Sequence, residues 1–266
     1  MKALCALLLL ALVPASAALA APVKLQGHLG VYDLSLSTTR DGAGFSAVNG
    51  RLALEVKDSC ESIAQNQRML LRTETNDGRQ MVSDNSHNTV ETLNGLVIRF
   101  NTRNLIDGKV TEEFAGRAVL EAVDKPGKVT FTQGDMEDME LAAGTVFPTQ
   151  HFLQLIAAAQ KGDKLLTRKI YDGSGPEGLY DTVAVISKAK PSEDPPDQVK
   201  PLAGHASWNI RIAYFAGEEA SAGTPEYEIE FNLYDNGIAT DLVLDYGTFV
   251  LKGKLSQLKI LPSGCS

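Results

Sequence analysis

Few residues in this chain could do covalent chemistry, and the cysteines come first. Cys5 lies in an apolar leader, whereas Cys60 and Cys265 lie in what remains once that leader is removed. Two thiols in an exported chain form a disulfide, and this one ties the last residues back to an early segment. The two positions are 205 residues apart, so the closed loop contains nearly the whole mature chain. In the chain-entropy account such a loop constrains the unfolded state by at most about 5 kcal/mol. Catalysis by the Cys60 thiol is disfavoured, because Cys265 offers it a partner and the compartment oxidises both.

The remaining chemistry-bearing residues are dispersed. His28, His87, His151 and His205 lie far apart, no two share an i, i+4 spacing, and neither HExxH nor CxxC occurs, so no zinc centre is expected. Ser174 sits in Tyr171-Asp172-Gly173-Ser174-Gly175, which does not meet the G-x-S-x-G pattern of a nucleophile elbow and reads as a turn between strands. The run Asp135-Met136-Glu137-Asp138-Met139-Glu140 offers the oxygen ligands that calcium prefers, but it lacks the EF-hand spacing and the central glycine. A solvated strand edge or turn is the expectation there. No catalytic residue, cofactor or metal is expected.

Residues 1–20 are expected to form a signal peptide: Lys2, an apolar stretch from Ala6 to Val13, and the small-x-small site Ala18-Leu19-Ala20. The stretch is short for a membrane span and Pro14 interrupts it. Cys5 precedes the cleavage site and leaves with the leader, so it is not a lipid-anchored cysteine. No later segment approaches the length of a transmembrane helix. The formal charge of −8 and the absence of a basic stripe oppose nucleic acid and anionic membranes as partners.

The elements that must position these residues are mostly strands. Tyr227, Ile229, Phe231 and Leu233 alternate with Glu226, Glu228, Glu230 and Asn232, the pattern of a strand with one wet face. Leu52, Leu54 and Val56 repeat it, as do Trp208, Ile210, Ile212 and Tyr214. Turn signals at Asn76-Asp77-Gly78, Asp107-Gly108, Pro126-Gly127 and Asp235-Asn236-Gly237 punctuate these runs. The fold class expected from these runs is all-β, a large curved antiparallel sheet of about twelve to fourteen strands. One helix stands out over 149–161, with Thr149 as cap, Phe152, Leu155, Ile156 and Ala159 on one face, and Gly162 as stop. It plugs or lids the curved sheet, or it is a crossover helix packed on one end. Residues 191–201, rich in proline, read as an extended, poorly packed surface loop inside a single domain over 21–266.

Several blocks are similar to the EipB-like family of periplasmic cell-envelope integrity proteins. They are Thr111-Glu112-Glu113-Phe114-Ala115-Gly116-Arg117, Phe147-Pro148-Thr149-Gln150-His151, Trp208-Asn209-Ile210, Pro225-Glu226-Tyr227-Glu228-Ile229 and Leu258-Lys259-Ile260-Leu261. The resemblance implies a broken spiral barrel of about fourteen strands with a central helix, and a disulfide carried by Cys60 and Cys265. It also implies the periplasm of a Gram-negative bacterium, a role in envelope integrity without enzymatic activity, and a fold like that of lipoprotein carriers.

Three readings follow. The first is a non-enzymatic envelope protein that binds an apolar ligand or lipoprotein segment in a concave sheet. The second is a scaffold whose strand edges recruit envelope proteins, and the third is an unrecognised hydrolase. The expected partners are other periplasmic or outer-membrane proteins, or lipids. A cavity would be lined by Phe152, Leu155, Ile156, Trp208, Ile210 and Phe231, which otherwise are plain core.

Overall fold

The computed structural model describes residues 23–40, 42–194, 196–216 and 223–265. The signal peptide expected over 1–20 lies outside the described residues.

The described residues form one sheet of fifteen strands. In chain order these are β1 (His28–Thr39), β2 (Phe45–Asp58), β3 (Ser62–Thr75), β4 (Gln80–Thr92), β5 (Val97–Ile106), β6 (Lys109–Leu120), β7 (Gly127–Gln133), β8 (Met139–Leu141) and β9 (Thr145–Val146). Helix α1 (Pro148–Lys161) follows, then β10 (Leu165–Tyr171), β11 (Leu179–Lys188), β12 (Ser207–Ala216), β13 (Tyr227–Tyr234), β14 (Ala239–Asp245) and β15 (Phe249–Ile260).

Sequential strands pair antiparallel, β1 joins the last strand β15 at mid-sheet, and a short β9–β10 pair is parallel. All four glycine turn signals fall at hairpin connections. At Asp107-Gly108 both residues have positive φ, 51° and 76°, the backbone that a two-residue turn between twisted strands requires. The acidic run ends in β8 at one edge of the sheet, where Asp138 pairs with Lys128 at 2.9 Å.

Chain connectivity forces the sheet to curl. The two edges, β8 and β9, are separated only by residues 142–144. That link reaches at most about 14 Å from Leu141 to Thr145. Fifteen strands laid flat would span roughly 65–70 Å. The edges can meet only if the sheet rolls into a nearly closed barrel, open along the β8/β9 seam.

Helix α1 crosses the concave side. Leu155, Ile156, Ala158 and Ala159 pack against Tyr180, Ala184, Ile210, Ile212, Phe231 and Leu233 of β11–β13. Gly162 ends the helix in the left-handed region at φ 86°, as its sequence position suggests. The start differs from expectation. Pro148 opens the helix, Phe147 is the cap residue, and no side chain of the cap residue bonds the first turn. Thr149 is inside the helix instead, and its N–H donates to Glu91 Oε1 of β4 at 2.7 Å. A carboxylate from another strand does the work usually done by a local cap.

The proline-rich segment also departs from expectation. Pro196–Val199 forms a helical turn followed by a 3-10 turn, Lys200–Leu202, and Leu202 is buried. Asp194, also buried, accepts the N–H of Leu255 at 2.8 Å and of Asp241 at 3.1 Å. Both donors lie where the ladder is irregular: β15 shifts register near Leu255, and β14 bulges at Asp241, whose φ is 56°. The segment is fastened because it satisfies backbone groups that the sheet leaves unpaired.

Cys60 follows β2, and Cys265 lies beyond β15. Their Cα atoms are 5.1 Å apart and the sulfurs are bonded. Ser263 Oγ donates to Asp58 Oδ2 at 2.6 Å, and the Gly264 N–H donates to the Asp58 carbonyl at 3.2 Å.

Candidate functional site

In a filled barrel, inward side chains are buried and outward ones exposed. Several inward positions of β4, β13 and β14 break that rule. Asn85, His87, Ile229, Leu242 and Leu244 face inward yet are only half-buried, as is Phe152 of the helix. They surround a cavity of about 500 Å³, within the range of small-molecule sites.

Register explains its two-sided wall. At one level across the sheet, Leu54 of β2 stands beside Gln67 of β3, then His87 of β4, then Thr102 of β5. The adjacent level runs Leu52, Met69, Asn85, Asn104, and the other runs Val56, Gln65, Thr89. The wall therefore passes from aliphatic on β2 to amide, hydroxyl and imidazole on β3–β5. Opposite stand Ile229, Phe231, Leu242 and Leu244, with Phe152 stacked on Phe231 at 5.7 Å between ring centroids. Tyr214, Tyr227 and Tyr246 continue the aromatic side, with Tyr214 and Tyr227 stacked at 4.3 Å. Burial raises the pKa of all three phenols, so they remain protonated hydrogen-bonding groups.

Asp172 and Ser174, after β10, complete the polar side. Asp172 Oδ1 accepts the Ser174 N–H at 2.8 Å, and burial pushes its carboxyl pKa up against that bond. His87 Nε2 lies 3.2 Å from the carbonyl of Asp172, and its Nδ1 lies 2.8 Å from Thr102 Oγ1. A carbonyl only accepts, so Nε2 carries the proton and Nδ1 accepts from Thr102. Burial lowers the His87 pKa, which favours this neutral form. Both ring nitrogens are engaged, and neither contacts the Ser174 hydroxyl. Asp172, His87 and Ser174 share a site without the geometry of a nucleophilic triad.

Phe152 and Phe231, named from sequence, face the cavity. Leu155, Ile156 and Ile210 do not: all three are fully buried where the helix meets β11–β13. Trp208 packs against the same core. These four stand behind the wall because a helix seated on a sheet fills its own contact face and leaves only its flank free. Sequence reasoning missed the polar wall of Gln65, Gln67, Asn85, His87, Thr89 and Thr102. A signal was present: Asn85-Ser86-His87-Asn88-Thr89 is polar on both faces of a strand, which a packed interior does not tolerate. No group of three or more His, Cys, Asp or Glu able to hold a metal occurs among the described residues.

Comparison with known proteins agrees with this architecture. The chain is 33% identical over 254 residues to the cell envelope integrity protein EipB of Brucella abortus, covering 94% of this chain and 89% of that one. It superposes on the crystal structure of a β-barrel-like protein of a domain of unknown function from Brucella abortus with a TM-score of 0.82 and 31% identity. That match covers 90% of this chain and all of the other. The model of the EipB-like family matches residues 19–262, and the chain belongs to that family.

Proposed function

We propose that this is a non-enzymatic periplasmic protein that supports cell-envelope integrity by holding an apolar ligand inside its barrel. The ligand is a lipid chain or the acyl end of a lipoprotein. The observation that carries this reading is the set of half-buried inward apolar side chains, Leu54, Phe152, Ile229, Leu242 and Leu244, around space that helix α1 does not fill. Apolar surface kept from packing is costly, at roughly 25 cal/mol per Å², so a ligand that covers it is stabilised. The relative's name supports the envelope role, and the leader-like residues 1–20 support export.

The test is native mass spectrometry of protein purified gently from periplasm. A retained species of lipid mass, lost on organic extraction, supports the reading. Protein that is always bare, and that never takes up an apolar probe, would sink it in favour of the scaffold reading.

A further inference from the structure

The polar half of the cavity wall, on β3–β5, includes side chains that the protein itself leaves unpaired.

On β3 and β4, the side chains of Gln67, Asn85 and Thr89 make no hydrogen bond among the described residues, although all three line the wall. Side-chain amides and hydroxyls both donate and accept, which suits alcohol and amide groups. Among the described residues, no lysine or arginine lines the cavity. The acids there are Asp172 and Glu230, and the Glu230 carboxylate is already held by Lys190 and Asn209. An anionic head would lose its hydration, find no cation, and meet a carboxyl.

We propose that the cavity takes a single-chain amphiphile with an uncharged, hydroxyl- or amide-bearing head and discriminates against an anionic one. The chain lies along Leu52, Leu54, Ile229 and Leu244, and the head meets Gln67, Asn85 and Thr89. This rests on the apolar-ligand reading above and sharpens it.

The test uses the whole mature chain and two probes of equal chain length, monododecanoylglycerol and dodecanoate. Both are titrated calorimetrically at pH 8, below their aggregation concentrations. The glycerol ester is expected to bind at least about tenfold more tightly, the consequence of leaving a carboxylate unpaired. Asn85→Leu and Gln67→Leu should each weaken the ester several-fold and leave dodecanoate unchanged. Should Asn85→Leu not fold, Gln67→Leu at an exposed wall position carries the test. Equal or tighter binding of dodecanoate, or variants without effect on the ester, overturns the head-group inference while the apolar-ligand reading stands. If neither probe binds, the apolar-ligand reading fails and takes this inference with it.

Discussion

Glu91 of β4 and Thr149 of helix α1, 58 residues apart, are joined by a 2.7 Å hydrogen bond from the helix's backbone N–H to the Glu91 carboxyl. Glu91 is fully buried, and its other oxygen has no partner. The bond anchors the start of the helix to the half of the barrel opposite its apolar contacts. Burial raises the Glu91 pKa from 4.5 to about 7, against the lowering effect of its bonds to Thr149 and Gln150.

Glu91 therefore makes stability depend on pH. A carboxyl with a raised folded-state pKa binds its proton more tightly in the native state. Its contribution is full below about pH 4.5 and is lost as pH rises through about 7. The loss is on the order of 3 kcal/mol. Buried His151, with its pKa lowered to about 4, works in the opposite sense between about pH 4 and 6.5. Comparison with Glu91→Gln isolates the carboxyl. Urea midpoints at pH 5 and pH 8 should fall more for the wild type than for Glu91→Gln; equal falls would refute the assignment.

Removing the Cys60–Cys265 bond should lower stability by about 2–5 kcal/mol. The measurement is thermal unfolding of the double variant Cys60→Ser, Cys265→Ser beside the oxidised wild type. Peptide mapping without reductant should first show the linked pair, and free thiols in the mature protein would contradict it.

The helix should respond differently on its two sides. Leu155→Ala removes a fully buried side chain and should cost about 2–5 kcal/mol. Phe152→Ala, at the cavity edge, should cost less and enlarge the cavity. Chemical denaturation of both variants, with uptake of an apolar fluorescent probe, checks this. Equal destabilisation with unchanged uptake would place Phe152 in the core.

Asp194→Ala should leave the buried N–H of Leu255 without an acceptor and cost about 1–3 kcal/mol. It should also expose 191–201 to protease. Limited proteolysis that cuts wild type and variant equally fast would show that the segment is not fastened through this carboxylate.

Local physics determined much of this from sequence alone. Period-two runs such as Leu52-Leu54-Val56 set which face of a strand is apolar, glycine turns set the hairpins, and a 3.6-residue stripe ending at Gly162 set the helix. These depend on neighbours within a few residues. What joins distant residues was decided only in three dimensions. Glu91 caps a helix whose own cap residue offers nothing, and Asp194 serves two bulges that no local pattern announces. The cavity wall exists because register places Leu54, Gln67, His87 and Thr102 side by side from four strands. Alternation marks a side chain as inward, but only the curl of the sheet decides whether the inside is filled. Leu155 and Phe152 share one apolar stripe, and the helix's seat on β11–β13 makes one core and the other wall.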